Sequence, residues 1–283
     1  MTIVVTVKVT DGIVLAADSA ATFYVPRAGG PVTKIYNNAN KIFNLRKVWP
    51  IGAMVYGAGG IGASSVETLS KDLRRRFSDT NDSQYYLAED NYTIEEVAVK
   101  ARKFLYEESY RQAFSQPPAD FVLGYRVCGY SARADSPEIW EFMIVGADCG
   151  TPYIVQQKDE FGLRWAGENE ALDRLLLGSS TAILGWLVQK GFVQQQDTTA
   201  IHFELINHLA APLALPAMPI QDAIDVATFA VETAAKFAKF GMRLETIGGP
   251  IEVAAITKHE GFKWVARKHY YTEDLNRETN HGR

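Results

Sequence analysis

Cysteine is scarce in this chain, and several features that mark other protein classes are missing. Its 283 residues include only two cysteines, Cys128 and Cys149, and no Cys-x-x-Cys pair. Two cysteines cannot form a disulfide framework, so we expect a reduced, cytoplasmic setting. No stretch approaches about 18 consecutive apolar residues, and no secretory signal is visible at the N-terminus. The sequence therefore predicts neither a membrane span nor secretion.

An excess of positive charge is also missing. The chain has 29 Lys and Arg against 33 Asp and Glu, which gives a formal net charge of −4. Nucleic-acid binders usually carry a basic patch or stripe, so we expect no nucleic-acid partner. The five histidines include His202 and His208, with Glu204 between them. This spacing does not match the His-Glu-x-x-His zinc motif, so no metal site is predicted.

The order of strand and helix patterns favours an α+β fold. Strand patterns arrive in pairs, beginning with residues 2–9 and 13–18, and helical patterns lie between and after these pairs. This order favours antiparallel sheets with helices packed outside them, because a parallel sheet would alternate single strands with helices. Helices are predicted at residues 64–77, 93–114, 199–211 and 221–240, and residues 170–190 show a helical pattern broken at Gly178.

The connections between these elements contain no clear linker. Residues 20–40 are rich in Ala, Gly, Pro and Asn and are predicted to form a long loop. No change of composition marks a domain boundary, so we expect one domain over residues 1–271. The polar residues 272–283 are predicted to be a flexible tail.

A glycine-rich segment at residues 57–62 matches Gly-x-Gly-x-x-Gly, the dinucleotide-binding pattern. That pattern needs a second strand ending in an acid about 20 residues later. Residues 78–83 occupy this position and form a polar stretch, which argues against a dinucleotide-dependent oxidoreductase. What is left is a tight turn whose backbone N–H groups could stabilise an oxyanion.

Thr2 follows the initiator Met1 and opens a run of β-branched residues. The simplest interpretation is a strand that happens to begin with threonine. If Met1 is removed, Thr2 carries a free α-amino group and a hydroxyl on the same residue. A free α-amine has a pKa of about 7.7–8, so it can serve near neutral pH as the general base for its own hydroxyl.

The residues after Thr2 favour the second interpretation. Gly12 lies ten residues further on, and residues 15–22 read as an apolar residue followed by Ala-x-Asp-Ser-x-Ala-Thr. Lys41 then opens a short strand, and a later strand ends at Gly57. With these motifs the chain resembles, over most of its length, the proteasome-type N-terminal-nucleophile (Ntn) hydrolases.

This resemblance implies a four-layer αββα sandwich of two antiparallel sheets and a threonine-dependent peptidase. Thr2 would be the nucleophile, Asp18 would hold the ammonium of Lys41 beside it, and the N–H of Gly57 would bind the oxyanion. Lys34 stands at the family's spacing from Asp18 without an insertion. The residues that follow Lys34 soon become polar, however, so Lys41 is preferred.

The resemblance also implies a substrate and a quaternary structure. Ala21, Val55 and Gly59 would line a substrate pocket, and these small apolar walls would favour an apolar substrate side chain. The substrate would be a peptide or protein. The family assembles into rings or stacks, so a homo-oligomer is expected, and no organic cofactor is implied.

The later motifs depart from those of proteolytic subunits. Glu168 stands where a serine is expected, and no Asp is in register near Glu245 and Thr246, which are candidates to orient the amine of Thr2. The Gly167-Glu168 turn and the Gly-Gly-Pro-Ile-Glu run at residues 248–252 are similar to the bacterial branch called Anbu. Two alternatives stay open, an active hydrolase and a structural or binding subunit with a weak site.

Overall fold

Two antiparallel sheets form the framework of the protein. The computed structural model describes residues 2–25, 32–180, 182–242 and 246–268. The strands are β1 (Ile3–Val9), β2 (Gly12–Ala17), β3 (Ala21–Val25), β4 (Val32–Tyr36), β5 (Ile42–Asn44), β6 (Ile51–Gly57), β7 (Gly60–Ile61), β8 (Ser64–Ser65), β9 (Val122–Gly129), β10 (Glu138–Val145), β11 (Asp148–Cys149), β12 (Tyr153–Gln156), β13 (Gly162–Gly167), β14 (Glu252–Thr257) and β15 (Gly261–Ala266). The α-helices are α1 (Val66–Ser78), α2 (Ile94–Arg102), α3 (Arg111–Ala113), α4 (Glu170–Leu176), α5 (Ala182–Gln189), α6 (Thr198–Leu209) and α7 (Ile220–Phe240).

The first sheet has the strand order β13-β1-β2-β14-β15. Strands β1 and β2 form its centre, and every residue of both is buried. One set of alternating side chains, including Ile3, Val5 and Val7, packs against helices α4 and α7. The close approach of β14 requires a glycine in the turn, because a Cβ on Gly12 would lie 2.4 Å from the carbonyl oxygen of Ile256.

The second sheet has the order β11-β10-β9-β6-β5, and β12 also pairs with β10. Its side chains Val55, Leu123 and Phe142 pack with those of helices α1 and α2 in one cluster. The predicted helix over 93–114 begins as expected, since the N–H of Glu96 donates to Thr93 Oγ1 at 3.0 Å. It continues as a π-helical segment over Lys103–Tyr110.

A third cluster joins the two sheets. Val4 and Leu15 of the first sheet pack against Met54 and Ile139 of the second. A polar network lies on the strands beside this cluster. Its contacts are Arg126 Nε to Glu141 Oε2 at 2.8 Å, Tyr56 OH to Glu141 Oε1 at 2.9 Å, and Arg126 Nη1 to Thr6 Oγ1 at 3.3 Å. These contacts supply hydrogen-bond partners for a buried ion pair, which is costly without them.

Two sequence-based assignments are corrected by the structure. The loop predicted over 20–40 contains a hairpin, because β3 pairs antiparallel with β4. Its strands are rich in β-branched and aromatic residues, which the Gly, Pro and Asn between and after them obscured. Strand β13 was not predicted either, and it pairs with β1. The predicted tail, 272–283, lies outside the described residues.

The segment between α4 and α7 differs from the rest of the described chain. We call residues 177–213 the helical arm; none of its described residues is buried. Its base is held by the N–H of Ala211, which donates to the carbonyl of Leu176 at 2.8 Å. Helix α5 carries no charged residue and still exposes 51% of Trp186. Within the described ranges, no helix is long and apolar enough to cross a membrane.

Candidate active site

Thr2 lies directly before β1 and is held through its backbone. Its carbonyl accepts a hydrogen bond from the N–H of Glu168 at 2.8 Å. The next residue, Ile3, donates its N–H to Asp18 Oδ1 at 3.1 Å and accepts from the N–H of Asp18 at 3.3 Å. Thr2 is only 3% exposed. The pairing of β1 with β2 and β13 therefore fixes Thr2 beside Asp18.

Asp18 and Lys41 form a buried ion pair. Lys41 Nζ lies 2.6 Å from Asp18 Oδ1, and both side chains are almost completely buried. Asp18 Oδ2 accepts from the N–H groups of Ala20 at 3.0 Å and Gly248 at 3.1 Å. Burial lowers the pKa of Lys41, and the charge of Asp18 counteracts this effect. With four donors around one carboxylate, the ion pair has the partners that a buried charge needs.

The geometry distinguishes the two candidate lysines. Lys41, directly before β5, is the one that contacts Asp18. Lys34 is exposed on β4, with Nζ 5.6 Å from the ring centre of Tyr36. The ungapped spacing of Lys34 is misleading, because the β3–β4 hairpin lengthens the path from Asp18 to the second sheet.

A cavity of about 350 Å³ opens beside Thr2. Six of the residues singled out from the sequence line it together, namely Thr2, Lys41, Gly57, Ala21, Val55 and Gly59. Gly57 ends β6 with φ = +84°, and a Cβ there would lie 2.3 Å from the carbonyl oxygen of Val122. The backbone conformation at this position therefore requires glycine.

The same cavity has polar walls that sequence reasoning missed. They are Asn37, Asn38, Asn40, Ser65 and Glu67. The three asparagines follow the β3–β4 hairpin, which the sequence did not reveal. Glu67 lies in the first turn of α1 and is paired with Lys71, with Nζ to Oε1 at 2.5 Å. Its charge is thus balanced within its own helix.

Two of the three candidate amine-orienting residues, Glu168 and Thr246, lie within the described residues. Glu168 and Thr246 line a second cavity, of about 280 Å³, with Arg174 and Phe237. Thr2 connects the two cavities through the hydrogen bond from Glu168 to its carbonyl. Glu245 lies outside the described residues.

The glycine segment at 57–62 ends β6 and continues into a small hairpin. Strand β7 pairs with β8, and α1 begins directly afterwards at Val66. β6 pairs antiparallel with both of its neighbours, β5 and β9. The parallel strand–helix–strand unit of a dinucleotide site is therefore not formed by the described residues around this segment.

The fold is similar to that of a known protein. A solved structure of Anbu, a Gly-1 mutant from Hyphomicrobium sp. strain MC1, matches with a TM-score of 0.53 and 12% sequence identity. The match covers 98% of this chain and 92% of that one. No family model and no curated protein sequence matches this chain. The chain thus has a fold like that of Anbu, a bacterial proteasome-like protein of the Ntn-hydrolase type.

Proposed function

We propose that this chain is a threonine-dependent amide hydrolase that cleaves peptides or proteins after removal of Met1. The observation that carries the proposal is the buried ion pair of Asp18 and Lys41 next to Thr2, with Thr2 and Lys41 on one cavity. A buried ion pair is a weak source of stability, so its presence at a cavity favours a functional role.

In the proposed reaction, Thr2 Oγ attacks the acyl carbon of the substrate. The freed α-amine of Thr2 accepts the hydroxyl proton, and the positive charge of Lys41 favours that transfer. The N–H of Gly57 stabilises the oxyanion. The amine half of the substrate then leaves with a proton, and water hydrolyses the ester on Thr2, which restores the hydroxyl.

We propose an apolar preference at the cavity. Ala21, Val55 and Gly59 supply small apolar walls, and the charge of Glu67 is balanced by Lys71. A Cβ on Gly59 would lie 3.9 Å from that of Ala21, so alanine at position 59 would narrow the cavity without a clash. We expect this variant to discriminate against large side chains, measured with peptides that differ before the scissile bond. Faster cleavage of acidic or basic peptides would contradict an apolar preference.

The three packing clusters support a four-layer αββα arrangement within one domain over residues 1–271. One cluster joins α1 and α2 to the second sheet, one joins the sheets, and one joins the first sheet to α4 and α7. This is the arrangement that the sequence motifs imply.

We propose that the chain forms a homo-oligomer and that the helical arm contributes to its interface. Six aromatic side chains of the arm and of α7 are about half exposed or more, namely Trp186, Phe192, Phe203, Phe229, Phe237 and Phe240. At roughly 200 Å² per side chain they expose on the order of 700 Å². One partner of a standard interface contributes about 800 Å², so the exposed aromatic area is of the order that contact with a second copy would cover.

A second candidate function is a structural or binding subunit with a weak site. The placement of Glu168 and Thr246 on the second cavity favours it, because an amine that is not oriented loses the advantage of proximity. This candidate keeps the fold and the oligomer but lacks hydrolysis.

Two measurements test the hydrolase. The intact mass of the purified chain must first show that Met1 has been removed. A retained Met1 would make the nitrogen of Thr2 a peptide nitrogen and not an amine. A biotinylated peptide epoxyketone, which reacts with a hydroxyl and an amine on one residue, should then label the wild type and not Thr2→Ala.

Thr10→Ala is the matched control, since Thr10 is an exposed threonine in the β1–β2 turn. It should be labelled like the wild type. Equal labelling of Thr2→Ala and wild type would rule out Thr2 as the nucleophile. A wild type that has lost Met1 and is not labelled would favour the structural subunit.

A further inference from the structure

Lys268 connects three segments that surround the site. Its Nζ lies 2.7 Å from Ser19 Oγ, 2.5 Å from the carbonyl oxygen of Ala39 and 3.7 Å from Glu252 Oε2. Ser19 follows Asp18, and Ala39 lies two residues before Lys41. The side chain of Lys268 is only 7% exposed, although it follows the last described strand. An ammonium group buried here orders both segments that carry the Asp18–Lys41 pair.

Glu252 is the carboxylate of this second pair. It is fully buried on β14, and its Oε2 lies 3.4 Å from the backbone N–H of Lys41, which donates to it. Its Oε1 is buried and has no hydrogen-bond partner among the described residues. Burial raises the pKa of Glu252, and the charge of Lys268 opposes that rise. A half-satisfied buried carboxylate is costly, so the position of Glu252 beside Lys41 points to a role there.

We propose that Glu252 and Lys268 are positioning residues, a second buried ion pair that holds Lys41 beside Asp18 and balances its charge. The inference rests on the proposed function, in which Lys41 acts as a cation near Thr2 Oγ. Neither residue is assigned contact with the substrate.

The charges of both members of the pair affect the pKa of Lys41. The positive charge of Lys268 lowers the pKa of Lys41, and the negative charge of Glu252 raises it. Among the other groups, Asp18 after β2 contacts Lys41 directly, and Thr2, Tyr56 on β6 and Glu67 on α1 line the same cavity as Lys41. Since these groups are unchanged in variants of Glu252 and Lys268, the two variants should have effects of opposite sign.

The test is a titration of Lys41 by NMR in protein labelled with [ε-¹³C]lysine, with the signal assigned through Lys41→Arg. Glu252→Gln should lower the titration midpoint of Lys41, because the positive charge of Lys268 is then unopposed. Adding Lys268→Gln to Glu252→Gln should raise the midpoint again. Glutamine at position 268 keeps hydrogen-bond donors for Ser19 and Ala39 while it removes the charge.

Lys268→Arg in the Glu252→Gln background is the matched control, since it keeps the positive charge and should leave the midpoint low. A purely structural role predicts the same midpoint in all folded variants, and that result would overturn the inference. If Glu252→Gln does not fold, Lys268→Gln is compared with Lys268→Arg alone, and equal midpoints again overturn it.

The readout requires no hydrolysis, so the inference and the proposed function fail separately. The wild type could be labelled while Thr2→Ala is not, and the Lys41 midpoint could be the same in all variants of Glu252 and Lys268. This result would support the proposed hydrolase and contradict the proposed role of the second ion pair.

Discussion

The β1–β2 hairpin and the helical arm are both rich in apolar residues, yet only the hairpin is covered by its own chain. Every residue of β1 and β2 is buried, whereas no described residue of the arm is. The hairpin packs against helices on one side and a sheet on the other, so its strand ends can hold Thr2 and Asp18 in fixed positions. An apolar helix left in water is unfavourable, which is why the proposed oligomer interface is placed on the arm.

The largest effect should come from breaking the ion pair at the end of the hairpin. Asp18→Asn leaves the ammonium of Lys41 buried without its counter-charge, which typically costs about 3–5 kcal/mol. We expect this loss in the free energy of unfolding from urea denaturation, together with loss of labelling at Thr2. Asp135→Asn is the control, because Asp135 is 89% exposed in its pair with Lys258. An exposed pair is worth about 1 kcal/mol or less, so equal losses in the two variants would contradict the buried role of Asp18.

Glycine-to-alanine substitutions beside the hairpin, on β13, and in the arm should change the free energy of unfolding in opposite directions. Gly167 has φ = +105°, and a Cβ there would lie 1.8 Å from the carbonyl oxygen of Thr2. Gly167→Ala should therefore destabilise the protein by about 1–3 kcal/mol and displace Thr2, which reduces labelling.

The matched substitution in the arm is Gly185→Ala. Nothing lies within 4 Å of a Cβ on Gly185, which is inside helix α5. We expect a stabilisation of about 0.5–1 kcal/mol, because alanine is the better helix former. Thermal denaturation of both variants measures the contrast, and a destabilised Gly185→Ala would mean that the arm is more tightly packed than its exposure indicates.

A smaller effect should depend on pH. Lys8 lies on β1, and burial lowers its pKa from 10.5 to about 8. Between these values the unfolded chain binds more protons than the folded one, so the free energy of unfolding should rise from pH 8 towards pH 10. Burial lowers the pKa of Lys41 and Lys268 as well, which adds to the rise.

Above pH 10 the trend should reverse, because burial raises the pKa of Tyr92 and Tyr130 to about 12, and the unfolded chain then loses protons first. Lys8→Met should flatten part of the rise in urea titrations at pH 8 and 10. Lys190→Met, at an exposed position of the arm, should not. If the free energy of unfolding rises equally in Lys8→Met and the wild type, Lys8 does not contribute to the rise.

The smallest effect on stability should come from the exposed aromatics of the arm. Phe203 is 64% exposed, so Phe203→Ser should change the free energy of unfolding of the dissociated chain by less than about 0.5 kcal/mol. The same change should weaken self-association, measured by sedimentation velocity. Phe77→Ser, on the buried face of α1, is the counterpart that should unfold the protein. An unchanged association state in Phe203→Ser would remove Phe203 from the interface.

Much of the site could be predicted because its residues are close in sequence or stand at the spacings of the family's motifs. Thr2, Asp18, Lys41 and Gly57 were singled out from their positions in the chain, and the fold resemblance to Anbu is confirmed by the structural match. Their catalytic roles remain predictions. Glu252 was noted only as part of a motif, and no local pattern marked Lys268, because its partners lie 229 and 249 residues away.

The sequence by itself determined the paired strands, the helix starts and the position of a threonine behind Met1, since these depend on local pattern and spacing. Only the tertiary structure decided which lysine meets Asp18 and which residues surround the cavity, because the β3–β4 hairpin, β13 and the second ion pair depend on contacts between distant segments. It also placed Glu168 and Thr246 on a second cavity, while the backbone N–H of Glu168 still donates to the carbonyl of Thr2.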